Sequence, residues 1–388
     1  MKFNIIISLF SIIIAIGTFS FSFANDTLKY LNIPIRSGNA ITGSEFVSRV
    51  SKMSLENREK EIVKEILLGN VPSFSRKLKS VTISLNINSG NYKLTFFTLC
   101  DYMAIGADSD YLYIPMTPST AQYLAEQLNC SLPTKKMVDI IYNNADIKLY
   151  PQPIPPSNNM VTVPVFKNHT DSIKKQILQI GFDRTSDYLI AGHKKDVIIS
   201  NKIYSSDRDY ERVVIYGWHR GVNNPIQPVY NGHIAKYADY SHGIRFIFGT
   251  VILNGDSTTV ENVLKDTTLF GLLSSEGMIS KPYYPPSDIF TSVKENPERN
   301  EIDFILNQNF PNPFNPTTII TYSLFTEGFV KLKIYDSLGR TVKTLINQKQ
   351  GSGNYQVIFN AKDISGGVYF YKLTSGNHTE TKKMILLQ

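Results

Sequence analysis

The chain is 388 residues long, 42% hydrophobic and 19% charged, with 40 Lys and Arg against 33 Asp and Glu for a formal charge of +7. This composition excludes an intrinsically disordered chain, and the length leaves room for two or three globular domains. The positive excess is dispersed, with no basic arm or Lys/Arg-rich run, which argues against nucleic acid as a partner and helps only modestly towards an anionic envelope polymer.

The first segment has the pattern of an export signal. Lys2 gives a positive start, Ile5 to Ile16 form an apolar core broken only by Ser8 and Ser11, and Ser22-Phe23-Ala24 sets small residues where a signal peptidase cuts. Residues 1–24 are therefore expected to engage the Sec machinery and to be removed after Ala24. The apolar core is shorter than the roughly 20 residues a spanning helix needs. No later stretch is apolar enough either, so no integral membrane segment is expected in the mature chain.

Residues 25–286 read as an α+β cargo domain. Thr42 with Glu45 forms a capping box for a short helix. Ser54 starts a second helix, with Ile62, Val63, Ile66 and Leu67 as its apolar stripe before Gly69-Asn70. Val81 to Ile87 and Tyr92 to Leu99, joined by Asn88-Ser89-Gly90-Asn91, read as a hairpin. Thr117 and Pro118 are the N-cap and first position of another helix, and Leu132-Pro133-Thr134 passes to one ending at Ala145. Pro151, Pro153, Pro155 and Pro156 make an extended crossing. Cys100 and Cys130 lie in a chain expected to be exported, where a disulfide can persist, but sequence leaves their pairing open. Asp101, Asp108 and Asp110 lack calcium-loop spacing and read as a solvated turn.

Chemistry concentrates in the second half of this domain. Four of the six histidines, His193, His219, His233 and His242, fall among Tyr216, Trp218, Tyr230, Tyr237 and Tyr240. They sit at the edges of expected strands: Val197 to Ser200, Val213 to His219, and Ile244 to Leu253. Polar groups converging at strand ends commonly build a site on a rigid frame. One reading is a zinc site drawn from His193, Asp196, His219 and His242, since imidazole and carboxylate suit that ion and a catalytic site needs three protein ligands. Trp218-His219 is faintly similar to the Trp-His of zinc D-Ala-D-Ala peptidases, although His193 and Asp196 are closer together than that pattern has them. A second reading is metal-free, with Asp239, Ser241 and His242 or His219 as nucleophile, base and orienter. In the third, the histidines satisfy buried hydrogen bonds while Lys194, Lys195 and Arg245 are solvated charges. Nucleotide-binding, zincin, serine-hydrolase and C-x-x-C motifs are all missing from the sequence.

Lys281-Pro282-Tyr283-Tyr284-Pro285-Pro286 leads to an expected exposed linker, residues 287–303. The last part, residues 304–388, opens with Asn309-Phe310-Pro311-Asn312-Pro313-Phe314-Asn315-Pro316, which its prolines hold extended. Short alternating segments follow, separated by turns at Asp336-Ser337-Leu338-Gly339, Gly351-Ser352-Gly353-Asn354 and Gly366-Gly367. Six or so strands in this length predict a small all-β antiparallel sandwich, immunoglobulin- or fibronectin-like.

These last residues resemble the type A C-terminal sorting domain of proteins exported by the bacterial type IX, or Por, secretion system. The likeness rests on Pro311, Asn312, Pro313, Phe314, Asn315 and Pro316, on Lys331 to Asp336 with Leu338-Gly339-Arg340, on Gly366-Gly367-Val368-Tyr369-Phe370-Tyr371, and on Lys382-Lys383-Met384. The resemblance implies recognition by the outer-membrane translocon, cleavage by its sortase-like peptidase, and release or attachment at the cell surface by way of the periplasm. For the cargo domain the expectation is a hydrolase of envelope or extracellular polymer, peptidoglycan or polysaccharide, with His219 and His242 as ligand or acid/base. The alternative is a non-catalytic surface module binding glycan or protein through Tyr and Trp.

Overall fold

The computed structural model describes residues 30–182, 187–286, 289, 304–306, 308–309, 311–324, 327–351, 353–376 and 378–387. The expected signal, residues 1–24, and all of the expected linker except Ile289 lie outside them.

The body begins with helices α1 (Gly43–Val50) and α2 (Leu55–Leu67), started by the Thr42–Glu45 capping box and by Ser54 as foreseen. Strands β1 (Leu78–Ile87) and β2 (Gly90–Leu99) form the hairpin, but it closes tighter than expected. Asn88 and Ser89, both with positive φ, make a two-residue turn whose twist matches the strands it joins. After β3 (Ala104–Gly106) and β4 (Tyr111–Tyr113) come α3 (Pro118–Gln127), capped by Thr117, then β5 (Cys130–Ser131) and α4 (Lys135–Asn144), capped by Thr134. Strand β6 (Ile147–Lys148) precedes α5 (Val163–Ile180), a helix absent from the sequence expectation. Its signals were ordinary: Pro164 in the first turn and buried Val163, Phe166, Thr170, Ile173 and Ile177 on one face.

The remaining body strands are β7 (Ile190–Ala191), β8 (Lys195–Val197), β9 (Arg212–His219), β10 (Pro225–Ile234), β11 (His242–Gly243), β12 (Ile247–Phe248), β13 (Thr250–Leu253) and β14 (Asp256–Thr259), before α6 (Val260–Lys265). The expected single strand Ile244 to Leu253 is thus broken. At Gly249 the backbone leaves the ladder, its N–H going to Asn129 O and its C=O accepting from Val260 N–H. The strand expected at Val197 to Ser200 starts two residues earlier and leaves the sheet after Val197, where Ile199 N–H turns to Pro133 O.

Two sheets organise the body. One has the order β14-β13-β2-β12-β5 with β1 on β2; the other is β10-β9-β8-β11, with β8 antiparallel to β9 and parallel to β11. Every residue of β9 is buried, which is why Val213-Val214-Ile215-Tyr216 reads as an unbroken apolar run rather than an alternation. Each such side chain contributes about 1.5–3 kcal/mol by leaving water. One large apolar cluster runs from Leu31 to Tyr284.

Cys100 and Cys130 are both free. Thr98 and Ser131 pair with opposite sides of Ile247, so these two neighbouring chains stand two strand spacings apart, roughly 9–10 Å, beyond the reach of a disulfide. Burial pushes the Cys100 thiol up to about 11, the reverse of what a nucleophile needs.

The tail has seven strands among the described residues. Sheet β15-β16-β19 comprises β15 (Phe304–Leu306), β16 (Thr317–Leu324) and β19 (Gly353–Asn360); sheet β18-β17-β20-β21 comprises β17 (Gly328–Tyr335), β18 (Thr341–Gln350), β20 (Gly367–Ser375) and β21 (His378–Leu386). All pairings are antiparallel. Ile320, Tyr322 and Leu324 share one core with Val330, Leu332, Ile334, Tyr371 and Leu373. The cargo is therefore α+β and the tail a β-sandwich. The Pro-rich lead-in is stitched to the last strand: Phe314 N–H donates to Ile385 O, Leu387 N–H to Phe314 O, and Ile385 N–H to Asn312 Oδ1. Asp336 Oδ1 accepts from Leu338 and Arg340 N–H, with Gly339 at φ 77° completing the turn.

Candidate active site

Strand β9 ends in a conformation that ordinary residues avoid. Gly217 has φ 115° and Trp218 φ 62°, and a bulky aromatic in the left-handed region costs of order 1–3 kcal/mol unless its surroundings impose it. The Trp218 indole N–H donates to His193 O at 3.2 Å, and the Lys195 ammonium lies 4.8 Å from the ring centroid. This kink sends His219 towards α4. There its Nε2 lies 3.1 Å from Asp139 Oδ1, and its ring stacks on Tyr142 at 4.5 Å.

Asp139 is held by three donors. Tyr216 OH donates to Oδ1 at 2.6 Å, and Lys135 Nζ, one helical turn earlier, donates to Oδ2 at 2.7 Å. Burial works to raise the Asp139 carboxyl, but the hydrogen bonds from His219, Lys135 and Tyr216 outweigh it, and its pKa ends below the ordinary value. A carboxylate accepting from Nε2–H leaves the lone pair of the neutral imidazole on Nδ1.

Beside His219 is a small recess of about 10 Å3, lined also by Tyr102, Tyr142, Asp196 and Arg245. Space for a Cβ on Gly217 would lie 3.5 Å from Asp196 Oδ2 and 3.7 Å from His219 Cε1. The two side chains are therefore about 7 Å apart at most at those atoms, close enough to act on one bond. Tyr102 OH donates to Asp196 Oδ2 at 2.8 Å, and Arg245 Nε stands 3.9 Å from Oδ1. Oδ1 itself is buried without a hydrogen-bond partner. Burial raises the Asp196 carboxyl to about 6 against the opposing pull of Arg245, Tyr102 and His219.

Behind the recess the polar network continues inward. Arg245 donates to Leu99 O at 2.7 Å and Ile190 O at 2.6 Å, and its guanidinium lies 4.2 Å from the Tyr102 ring centroid. Asp101 accepts from Tyr102 N–H and from Tyr113 OH, and lies 3.2 Å from His193 Nε2. Lys194 Nζ donates to Tyr240 O at 2.6 Å and lies 3.2 Å from His169 Nδ1; burial brings its pKa down to about 7, with Asp239 and Asp101 opposing. Lys194 and Arg245 are each 1% exposed, so neither is the solvated charge the sequence suggested.

The expected constellations are distributed differently. Asp239 Oδ1 accepts from both Ser241 N–H and Ser241 OH, and Oδ2 from Tyr237 OH. The Ser241 hydroxyl proton is thereby directed to Asp239 within the core, not to an imidazole. His242 is buried with Nε2 3.8 Å from Asp239 and no hydrogen-bond partner at either nitrogen; burial lowers it to about 4. Among the described residues no three His, Cys, Asp or Glu side chains come together as a metal site. Of His193, Asp196, His219 and His242, only Asp196 and His219 meet at the recess. Asp139 and Tyr102 escaped the sequence reading, and Arg245 entered it only as a solvated charge. Arg245, inside the apolar run Ile244 to Phe248, carried a usable signal: a charge there has to be buried and paired.

Residues 308–387 match the family model described as secretion system C-terminal sorting domain. No curated protein matches the chain. Among solved structures, one is PorZ, an essential surface component of the type-IX secretion system of Porphyromonas gingivalis, 18% identical over 21% of this chain and 11% of that one, TM-score 0.17. Another is dimeric latent PorU from the same organism, 11% identical over 78% and 24%, TM-score 0.20. A third is a polysaccharide lyase, 6% identical over 82% and 34%, TM-score 0.17. The chain spans 34% or less of the length of each of these proteins, and TM-scores at this level carry no shared fold for the body. No described helix is long and apolar enough to cross a membrane. With residues 308–387 as a type IX secretion C-terminal sorting domain, the protein is a secreted or cell-surface cargo of that system.

Proposed function

We propose that the body is a hydrolase of an envelope or extracellular polymer, peptidoglycan or polysaccharide, with His219 as general base, Asp139 as its positioning partner and Asp196 as general acid. The observation that carries this reading is His219, hydrogen-bonded to Asp139, lining the same recess as Asp196, whose carboxyl keeps one buried oxygen without a partner. His219 Nδ1 takes a proton from water as the water oxygen bonds to the scissile carbon. Protonated Asp196 gives its proton to the departing oxygen or nitrogen as that bond breaks. The imidazolium then returns its proton through solvent to Asp196, restoring both groups. The recess has room for about one water, the attacking molecule of this step, while the polymer stays outside.

The test uses the purified full chain with peptidoglycan and a panel of polysaccharides, counting new amino and reducing ends. His219→Ala is expected to lose about 10²–10⁴-fold. Asp196→Asn is expected to remove the decline in rate above pH about 6 that loss of the acid's proton imposes. Absence of new ends from every substrate, or an undiminished rate in His219→Ala, overturns the reading.

For the route out of the cell, the reading is a signal at 1–24, cargo at 25–286, linker at 287–303 and sorting domain at 304–388. It implies Sec and signal peptidase first, then the type IX translocon and its sortase-like peptidase. Deleting 304–388 is expected to leave the body in the periplasm; undiminished appearance outside the cell would refute the assignment.

A further inference from the structure

A second feature lies at the opposite end of β9. His219 closes the strand; Arg212 opens it, seven residues away or roughly 23 Å. At the Arg212 end are two adjoining hollows of about 390 and 500 Å3, sharing Ser119, Glu211 and Ala235. The first is walled by Tyr204 and Tyr210, and the second runs on to Ser54 and Leu55 at the start of α2. Together they form a trough, not a closed pocket.

Its lining has a definite chemistry. Tyr204 and Tyr210 are 40% and 41% exposed, yet both phenols are anchored at the tip: Tyr204 OH donates to Tyr283 O at 2.8 Å and Tyr210 OH to Gly232 O at 3.1 Å. Tethered rings lose little freedom on binding, and their faces suit the apolar face of a sugar. Arg208 and Lys236 alternate with Asp209 and Glu211, so donors and acceptors are both on offer and the net charge of these four is zero. A polyanion or a polycation would meet like charge at half of these positions, whereas a neutral polyol can hydrogen-bond to all of them. Arg212, 4% exposed, donates Nη1–H to Asp207 Oδ1 and Nη2–H to Arg208 O, while its Nε–H is buried and unpartnered.

We propose that this trough is a docking site for a neutral polysaccharide chain, set apart from the recess at His219. It does not depend on the body being a hydrolase: a docked chain would be held for cutting by an enzyme, or simply held by an adhesive module.

Affinity electrophoresis of the full chain through gels containing dextran, laminarin, mannan or xyloglucan tests it. At least one of these is expected to retard the wild type, and Tyr204→Ala with Tyr210→Ala to weaken that retardation at least tenfold. Tyr204→Phe, which keeps the ring but cuts its tether to Tyr283 O, is expected to bind less tightly than wild type and more tightly than the double alanine variant, and Ser119→Trp, which fills the shared part of the trough, to abolish binding. His219→Ala is expected to bind normally whatever its activity, so failure of the hydrolase reading and failure of this one are separate results. Further gels hold polygalacturonate or gelatin, and three outcomes overturn the proposal: no retardation by any neutral polysaccharide, retardation only by polygalacturonate or by gelatin, or retardation unaffected in both Ser119→Trp and the double tyrosine variant.

Discussion

The tail and the body answer the same problem, burying a core, in opposite ways. In the tail the buried polar side chains among the described residues are few and neutral: Asn309, Thr318 and Ser375. Asn309 and Thr318 bond to each other and to Pro311 O, tying the lead-in down. In the body Asp101, His193, Lys194, Asp196, Asp239, His242 and Arg245 are all buried, and several keep atoms without partners. Burying charge costs free energy that only close pairing offsets. On the proposed reading the body uses these groups for chemistry, whereas the tail has only to keep its shape and surface for recognition. The difference teaches that the tail is an address legible in its pattern, and that the body's function is written in contacts no pattern announces.

The strongest way to break this contrast is to remove His219. Substitution by Ala should cost about 10²–10⁴ in rate, with melting of the tail untouched and export unchanged. Asp139→Asn should fall in the same direction, because an amide can hold the imidazole but cannot stabilise its protonated form. A normal rate in Asp139→Asn would show that the pair is structural, and the body would then resemble the tail in having a core without chemistry.

That site was only half legible, for a physical reason. Alternation with period two and turn residues at fixed places predicted six of the tail strands, because each reports directly on a face and a bend. The unseen β15, only three residues long, is too short to show a period. In the body, His219 stood out because it ends a fully apolar strand. Its partner Asp139 did not, because on α4 it is one polar residue beside an apolar stripe, and nothing local says that it faces a strand 80 residues away. The tetrad of His193, Asp196, His219 and His242 looked like a set because the residues are near in sequence, yet neighbours along a sheet alternate in direction. Lys195 and Asp196, adjacent on β8, illustrate this: one lies over the Trp218 ring, the other accepts from Tyr102.

Core truncation in the tail should produce the next largest effect. Leu332→Ala empties the centre of the sandwich, where Leu332 pairs with Ile346 on one side and Leu373 on the other. It is expected to cost the tail about 2–5 kcal/mol. Secretion should fall while the purified body keeps its rate; loss of activity in step with secretion would contradict the separation of roles. Protease resistance of residues 304–388 measures the first, and release of substrate ends the second.

Acid should separate the two regions a little less strongly. His242, facing Asp239, Lys195, His233, Lys194 and Tyr237, is lowered to about 4 by burial. Between its ordinary value near 6.5 and about 4, the unfolded chain binds a proton that the folded one refuses, so stability is lost as pH falls through that window. For His242 alone the loss is about 3 kcal/mol. His193 and His169, also lowered mainly by burial, act with the same sign. Asp196, raised to about 6, acts against them, gaining stability as pH falls from 6 towards 4. The body should therefore lose net stability from pH 6.5 to 4, and more steeply in Asp196→Asn. Trp218 is the one tryptophan of the chain, so urea titrations read by its fluorescence report on the body alone. An equal or higher midpoint at pH 4.5 than at pH 7 would count against a core of neutral buried histidines.

The smallest effect sharpens the comparison most, because the same substitution is made in both regions. Gly339 in the tail turn has φ 77° and nothing within 4 Å of an added Cβ. Gly217 has φ 115°, and its nearest neighbours, Asp196, Val138 and His219, would be at ordinary contact distance. Neither alanine meets a clash, so each costs mainly backbone strain, about 1–3 kcal/mol. In the tail that strain can relax by opening an exposed turn at Asp336, with a lowered melting point as its only consequence. In the body the easiest relief is to turn the peptide before Trp218, which swings His219 off Asp139 and away from Asp196. Gly217→Ala should thus lose rate out of proportion to its lost stability, while Gly339→Ala loses stability alone. Equal, purely thermal effects in the two variants would mean that the kink at the end of β9 is a turn like the other and positions nothing.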